Sequence, residues 1–138
     1  YLVASFFVKL SMDIQTLYKR FLACTKVSTD TRQILPGSLF FALKGPKFNA
    51  NEFAEEALNK GARYAVVDEA AFVKDERYLL VEDGLTALQD LARYHRDQLT
   101  IPVIGLTGSN GKTTSKELVH AVLSKKFVTF ATKGNLNN

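Results

Sequence analysis

The sequence predicts an α/β protein: a small mixed α/β domain followed by the first strand–helix–strand unit of a second domain. Over residues 12–98, short apolar runs bounded by turn residues alternate with segments of helical apolar spacing. Near the C-terminal end, a glycine-rich turn separates a β-branched run from another helical segment. The pattern changes between Asp97 and Pro102. We therefore predict one domain over residues 12–98 and the truncated start of another over residues 99–138.

Composition sets wide limits on function. The chain has 138 residues, of which 46% are hydrophobic, so it can bury the core of one domain or a little more. The net charge of +4 suits an anionic ligand, but basic and acidic residues are interspersed, so we expect no nucleic-acid partner. The single cysteine, Cys24, excludes an internal disulfide and fits a reducing cytosol.

Residues 1–11 are apolar but do not form a targeting signal. They lack a basic region and a small-residue cleavage site, and they are too short to span a bilayer. Met12 followed by Asp13 looks like a natural start. We interpret residues 1–11 as an upstream extension from cloning or from a misplaced gene start, with an extra N-terminal strand as the alternative.

The first domain reads as three helices and three strands joined by polar turns. Asp13 is a residue type that caps helix starts, and Gly61 is typical of a helix end. Leu17 and Leu22 are expected on the inward face of the first helix. The predicted elements are, in order, a helix over Asp13–Ala23, a loop over Val27–Gln33, a strand over Leu39–Leu43, a helix over Asn51–Lys60, strands over Tyr64–Val67 and Tyr78–Val81, and a helix from about Leu85 to Asp97.

For several titratable residues we predict no catalytic or metal-binding role. The acids between the last two strands have no metal-ligand spacing, so we expect a solvated face. His95 falls near a helix end, where a histidine favours the helix dipole, and His120 lies inside another helix. Cys24 has no paired histidine in a recognisable motif. The acids concerned are Asp68, Glu69, Asp75 and Glu76.

Residues 103–123 contain the most specific motif. Val103–Leu106 is a short run rich in β-branched residues, which predicts a buried strand. A turn follows over Thr107–Gly111, and Lys112 opens a helix. Its apolar positions are Leu118, Val119, Val122 and Leu123. A strand, a glycine loop, a Lys-Thr pair and a helix are the layout of a phosphate-binding P-loop.

The residue types of this loop suit ATP and Mg²⁺. Glycines bring backbone amides close to phosphate oxygens at the positive end of the helix. Lys112 supplies a cation for the β- and γ-phosphates, which makes it the predicted catalytic residue, and the Thr113 hydroxyl is the predicted Mg²⁺ ligand. The standard pattern has glycine where this chain has Leu106. The predicted ATP-binding residues are Gly108, Ser109, Asn110, Gly111, Lys112, Thr113 and Thr114.

Gly108–Thr114 resembles the variant P-loop of the Mur ligases and the related folylpolyglutamate synthetases. These enzymes use ATP to activate a carboxylate for amide-bond formation. A second resemblance covers Ser28–Arg32, Pro36–Gly45 and Phe48–Phe53, which are similar to the N-terminal domain of the Mur ligases that act late in their pathway. In that family this domain holds the uridine diphosphate end of the substrate.

The resemblance implies substrate-binding residues in this segment. The family triplet Asp-Ser-Arg is Asp-Thr-Arg here, which keeps the hydroxyl. Where the family commonly has Asp-Gly-His, this chain has Asn49–Asn51, so no histidine or glycine role carries over. Arg32 could bind a diphosphate through charge-assisted bonds, and Lys44 could add a point charge. The predicted substrate-binding residues here are Ser28, Thr29, Asp30, Thr31, Arg32 and Lys44.

The C-terminal end carries a third resemblance. After a strand predicted over Phe127–Ala131, Gly134–Asn138 is similar to a family motif whose asparagines lie near the ATP and substrate side of the cleft. It implies substrate-binding roles for Asn135 and Asn138. The resemblance covers nearly all of the chain after Met12 but only about a third of a Mur ligase. We therefore expect a fragment, inactive alone, that lacks the later catalytic residues.

The resemblance implies an ATP- and Mg²⁺-dependent ligase of peptidoglycan precursor synthesis in the bacterial cytoplasm. The branch it fits best adds D-alanyl-D-alanine to UDP-MurNAc-tripeptide through an acyl phosphate, as a monomer without a membrane anchor. Two alternatives remain open: a non-catalytic nucleotide-binding module, and another ligase of the superfamily, MurE-like or folylpolyglutamate synthetase-like.

Overall fold

The computed structural model of the protein describes residues 12–133. The predictions made for residues 1–11 and for Gly134–Asn138 therefore lie outside the described residues. The chain divides into two compact units between Thr100 and Ile101. The structure has the mixed α/β character that the sequence predicts.

A four-stranded parallel sheet forms the centre of the first unit. Leu39 lies opposite Val27 of one neighbouring strand and opposite Tyr64 of the other. Between the strands that contain Leu39 and Tyr64, the chain passes through a helix. A separate antiparallel hairpin comes after the second strand. The strands, numbered in chain order, are β1 (Val27–Ser28), β2 (Leu39–Phe41), β3 (Lys44–Gly45), β4 (Phe48–Asn49), β5 (Tyr64–Val67) and β6 (Tyr78–Leu80), and the main sheet has the order β1-β2-β5-β6.

Residues 12–100 of this unit contain three α-helices: α1 (Ile14–Leu22), α2 (Ala54–Asn59) and α3 (Gly84–Gln98). Asp13 caps α1 by accepting the Thr16 N–H at 2.9 Å, as predicted for this residue. Asp83 caps α3 in the same way. The helix predicted over Asn51–Lys60 begins as a 3₁₀ turn, with further 3₁₀ turns at Thr31–Gln33 and Ala70–Phe72.

The core has one layer on each face of the sheet. Because side chains alternate along a strand, Phe40 packs towards α2 while its neighbours Leu39 and Phe41 pack towards α1 and α3. All three are almost completely buried. Burial of both faces explains why this strand reads as a continuous apolar run, as parallel strands commonly do.

The predictions at β1 and at the end of α1 are wrong. The sequence predicts a loop at Val27–Ser28, but these residues form β1 because they pair with β2. Two residues alone carry no signal for a partner strand that lies further along the chain. The sequence places Leu22 on the inward face of α1, but the residue is exposed. At 3.6 residues per turn it lies about 140° around the helix from the buried Leu17, at the edge of the packed face.

In the second unit, α4 (Lys112–Leu123) forms where the sequence predicts a helix. The strands predicted over Val103–Leu106 and Phe127–Ala131 are wrong for this chain, since α4 is the only helix or strand within residues 101–133. Val103 is 61% exposed and Phe130 is 92% exposed. A strand needs a hydrogen-bonded neighbour, and residues 101–133 provide none for either segment.

Candidate functional site

The first unit contains a concavity of about 390 Å³ with one polar and one apolar side. Thr29–Arg32 form the polar side, which follows the C-terminal end of β1. In open α/β sheets, ligands bind beyond the carboxyl ends of parallel strands, so this is a favourable position. The apolar side consists of Phe40, Phe48, Ala50 and Phe53. The volume is within the range of small-molecule sites.

Asp30 organises the polar side. Its carboxylate accepts the Arg32 N–H at 2.9 Å, which starts the 3₁₀ turn, and also accepts the Arg32 side chain through Nε and Nη2. The side-chain hydrogen bond from Arg32 lowers the pKa of Asp30 to about 2. The Arg32 side chain is 86% exposed. Both charges are therefore present at neutral pH, and the guanidinium is oriented rather than free.

The other predicted residues of this segment differ in availability. The buried Ser28 hydroxyl donates to Asp30 O at 3.0 Å, so it is used to shape the turn. Thr29 and Thr31 line the concavity. The carbonyl of Thr31 accepts the Lys60 ammonium at 3.2 Å, which adds positive charge near Asp30.

Lys44 is held by two carboxylates. Its Nζ lies 2.9 Å from Asp68 Oδ1 and 2.9 Å from Glu69 Oε1. The hydrogen bond to Asp68, followed by that to Glu69, raises the pKa of Lys44. The sequence predicted a point charge for a ligand at this position, whereas in the structure the charge is already compensated.

Asp68 corrects the prediction of a solvated acidic face. Its side chain is only 5% exposed. It accepts hydrogen bonds from Asn51 Nδ2 at 2.7 Å and from the Gly84 N–H at 3.2 Å. Desolvation raises the pKa of Asp68, but these bonds and the one from Lys44 outweigh it, so the net shift is downwards. The sequence signal was its place directly after a buried strand, at the ligand-binding edge of a parallel sheet.

Sequence reasoning also missed an aromatic pair. Phe48 and Phe53 stack with ring centroids 5.4 Å apart and an interplanar angle of 16°. Phe53, which falls within the helix predicted over Asn51–Lys60, lines the concavity together with Phe48. The sequence signal for this aromatic pair was a phenylalanine on each side of Asn49–Asn51.

In the second unit, the residues of the predicted P-loop enclose a concavity of about 260 Å³. Gly108 has φ +149° and Gly111 has φ +77°, a left-handed conformation that favours glycine. Gly111 is the N-cap of α4 and makes no side-chain cap bond. The helical hydrogen bonds begin when the Ser115 N–H donates to Gly111 O, so the preceding amides point out of the helix start. The lining residues are Ser109, Asn110, Gly111, Lys112, Thr113 and Thr114.

This arrangement fits a polyphosphate. The amides and the positive end of α4 favour an anion, and Lys112 Nζ bends back to Gly108 O, which keeps the ammonium over the loop. Thr113 lines the concavity and is exposed, so its hydroxyl is available to Mg²⁺. A hydroxyl oxygen is a type of ligand that Mg²⁺ accepts, and the Mg²⁺ role of Thr113 stays a prediction. Asn135 and Asn138 lie outside the described residues.

Other features of the described part carry less chemistry. A concavity of about 430 Å³ between α1 and α3 has only acidic charged residues on its rim, Glu82, Asp83 and Asp90, and does not suit an anion. His95 Nδ1 lies 3.2 Å from the Tyr18 hydroxyl in an aromatic cluster between the same helices. Residues 12–133 contain no cluster of three or more metal-ligating side chains. No helix within this range is long and apolar enough to cross a membrane.

Comparison with known families gives two matches. A model described as the Mur ligase family, catalytic domain, matches residues 24–96, which is more than half of the chain. A model described as the Mur ligase middle domain matches residues 106–138. The two matches fall on either side of the division between the two units.

Curated relatives with high similarity share one name, UDP-N-acetylmuramoyl-tripeptide–D-alanyl-D-alanine ligase. The Bacillus subtilis protein is 43% identical over 114 residues and the Escherichia coli protein is 45% identical over 112 residues. Each alignment covers 81% of this chain and 25% of the relative. The chain thus spans about a quarter of the length of the curated relatives it matches.

Solved structures agree with these relatives. The crystal structure of MurF ligase from Thermotoga maritima in complex with ADP has 34% identity and a TM-score of 0.70, covering 84% of this chain and 27% of that one. A crystal structure of MurF from Acinetobacter baumannii has 35% identity and a TM-score of 0.72, covering 91% of this chain and 30% of that one.

Proposed function

The chain belongs to the Mur ligase family, and from this premise we propose that it is part of an ATP-dependent ligase that joins D-alanyl-D-alanine to UDP-MurNAc-tripeptide. The shared name of its relatives supports this choice of substrates. In this proposal residues 12–98 hold the uridine nucleotide and residues 99–138 begin the ATP-binding domain. The full activity belongs to a longer protein of the size of those relatives.

The observation that carries the ATP part of the proposal is the start of α4. Gly111 ends the loop in a left-handed conformation and leaves the first amides of the helix without a side-chain cap. Those amides, together with Lys112, bind the phosphates of ATP. A structure similar to this chain is in complex with ADP, which supports nucleotide binding.

The proposed reaction has two steps. A carboxylate oxygen of the tripeptide attacks the γ-phosphorus of ATP, and ADP leaves as the acyl phosphate forms. The amine of D-alanyl-D-alanine then attacks the acyl carbon, the amine loses a proton, and phosphate leaves as the amide forms. Lys112 and the loop amides stabilise the negative charge on the transferring phosphoryl group. Mg²⁺ held by the Thr113 hydroxyl supplies further neutralisation of the phosphate oxygens when bound.

For the uridine nucleotide, we propose the concavity beside β1. Asp30 uses Nε and Nη2 of Arg32, so the Nη1 donors of this oriented guanidinium are available to a diphosphate. Thr29 and Thr31 offer hydroxyls to the base or the ribose. Asn135 and Asn138 stay predictions for the side of the site that faces the peptide.

The test of the ATP site is a titration of the chain with fluorescent ADP in the presence of Mg²⁺. Lys112→Ala should weaken binding at least tenfold, because the ammonium is the cation nearest to the phosphates. Lys125→Ala, just beyond α4, is the matched control and should leave affinity unchanged. Equal affinities for wild type and Lys112→Ala would contradict the proposal for this loop.

The test of the reaction uses the full-length protein that contains this sequence. Phosphate release should require ATP, UDP-MurNAc-tripeptide and D-alanyl-D-alanine together. Release that depends on a single amino acid in place of the dipeptide would favour a MurE-like ligase. Nucleotide binding without any release would favour a non-catalytic module, and either result would contradict the proposed function.

A further inference from the structure

A buried polar network joins four segments at the carboxyl ends of the sheet strands. Asn51, which is almost completely buried, donates from Nδ2 to both Asn49 Oδ1 at 2.8 Å and Asp68 Oδ1 at 2.7 Å. Its Oδ1 accepts the Asp68 N–H at 3.1 Å. Asp68 also accepts the Gly84 N–H, which connects the start of α3. Buried networks of this kind fix one arrangement when all members are satisfied.

The hairpin β3–β4 is tied to this network at both strands. On β3, Lys44 contacts Asp68 and Glu69, each at 2.9 Å. On β4, Asn49 Nδ2 donates to the same Glu69 oxygen at 3.1 Å. Glu69 therefore contacts both strands and Asp68 contacts β3, so two carboxylates anchor a hairpin of only four paired residues. A hairpin this short has little stability of its own, so its position depends on the anchors.

Phe48, on β4 of this hairpin, lines the concavity. This residue is 56% exposed although its side chain is large and apolar. Its ring stacks on Phe53, and the residue lines the same concavity as the polar turn of Thr29–Arg32. An exposed ring that stacks on its neighbour and shares a concavity with hydroxyls and a guanidinium is suited to a flat ligand with a polar edge, such as a nucleobase.

The charges at Lys44 argue against direct contact with phosphate. Asp68 and Glu69 place two carboxylates within 2.9 Å of the ammonium. A diphosphate bound to Lys44 would lie close to both of them, and like charges at that separation repel. Arg32, which is held by a single carboxylate and is far more exposed, is the better diphosphate ligand.

We propose that Phe48 is the surface on which the nucleobase packs, and that Lys44 is a positioning residue that holds Phe48 through Asp68 and Glu69 instead of binding the diphosphate. This inference rests on the proposed function, because it deepens the assignment of a uridine nucleotide to this concavity. It assigns Lys44 a different role from the point charge that the sequence predicted.

The experiment is an NMR titration of the 138-residue chain with uridine and, separately, with UDP. The ratio of the two affinities measures what the diphosphate contributes. Phe48→Leu keeps an apolar side chain but removes the ring, and Lys44→Met removes the ammonium. Lys44→Arg restores the positive charge. Lys74→Met is the matched control, because Lys74 also pairs with a carboxylate, that of Glu55, but lines neither this concavity nor the hairpin.

We expect Phe48→Leu to weaken uridine binding about tenfold, the usual size of a base–aromatic stacking effect. Lys44→Met should weaken uridine and UDP by the same factor, Lys44→Arg should recover most of the loss, and Lys74→Met should match the wild type. A loss confined to UDP in Lys44→Met would overturn the positioning role, as would no loss at all. Should Lys44→Met fail to fold, Phe48→Leu decides, and unchanged uridine affinity overturns the proposal.

Different results contradict the proposed function and this inference. A wild-type chain that binds neither uridine nor UDP contradicts the proposed function itself. A wild-type chain that binds both, with Phe48→Leu and Lys44→Met behaving like the wild type, contradicts only this inference.

Discussion

The two units of the chain differ in where their strands find hydrogen-bond partners. In the first unit, β2 pairs with β1 on one side and β5 on the other, and the sheet is covered on both faces. In the second unit, the apolar segments Val103–Leu106 and Phe127–Ala131 have strand composition but no partner within residues 101–133. A helix and a turn form from local sequence, whereas a strand requires a second segment.

The helix starts show a second difference. Asp13 and Asp83 accept amides at the starts of α1 and α3, so those amides are satisfied within the protein. Gly111 at the start of α4 has no side chain to do this. The contrast teaches that a helix start capped by aspartate serves the fold, while a start formed by a left-handed glycine keeps its amides for an anion.

The largest expected difference between the units is in the free energy of unfolding that is lost when a leucine is replaced by alanine. Leu39 is fully buried in the first unit, and Leu118 of α4 is 63% exposed. Leu39→Ala should lower the free energy of unfolding by about 2–5 kcal/mol, the range for buried leucines. Leu118→Ala should change it by no more than about 0.5 kcal/mol, because alanine and leucine have similar helix propensities.

Urea unfolding followed by far-UV circular dichroism measures this difference, since the signal includes the helices of both units. Tyrosine fluorescence alone would not serve, because every tyrosine between residues 12 and 133 belongs to the first unit. A cost for Leu118→Ala as large as that for Leu39→Ala would show that α4 buries its apolar face in solution, and the contrast between the units would be lost.

A smaller loss of stability is expected when Asp68, a buried carboxylate of the first unit, is replaced. Asp68→Asn keeps the shape but removes the charge that Lys44 contacts, and at pH 7 it should destabilise the protein by about 1–3 kcal/mol. The second unit has no counterpart among residues 101–133, since its ion pair between Lys116 and Glu117 has an exposed carboxylate.

The effect at Asp68 should also depend on pH. The pKa of Asp68 in the folded protein lies below its ordinary value of 3.8. The unfolded state therefore binds its proton first as pH falls, and the stability from this group, complete above the ordinary pKa, is lost as pH falls through the folded pKa. Unfolding measured from pH 7 to pH 2 should show wild type and Asp68→Asn converging at the acid end. A constant difference would contradict the shift.

The sequence predicted what depends on nearby residues. The Asp13 cap, the strand at β5 and the helix beginning at Lys112 are present as predicted, although β2 is shorter than expected. Each has its signal within one segment: a capping residue, a β-branched run or a glycine before a helical repeat. The same holds for the P-loop concavity, whose lining residues are contiguous in the chain.

What the sequence did not predict depends on distant residues. Val27–Ser28 becomes a strand only through β2, and Asp68 is buried only because Asn51 and the start of α3 converge on it. Lys44 carries the right charge for a diphosphate, and nothing in its own segment reveals that two carboxylates already hold it. Periodicity reports burial along one element but not which polar groups meet across several.

The smallest expected effect concerns the glycine at the start of α4, which can be compared with another glycine of the same unit. Gly111 has φ +77° and Gly105 does not have a left-handed φ, yet a Cβ added at either would meet nothing within 4 Å. Gly111→Ala should therefore cost about 1–2 kcal/mol through backbone strain alone, and ADP affinity should fall about fivefold to thirtyfold. Gly105→Ala should leave affinity unchanged, and Gly111→Asn should fall between them, because asparagine tolerates this conformation better. Equal affinities for Gly111→Ala and Gly105→Ala would mean that the left-handed residue is not needed to present the amides of α4, so the distinction between the two kinds of helix start would fail.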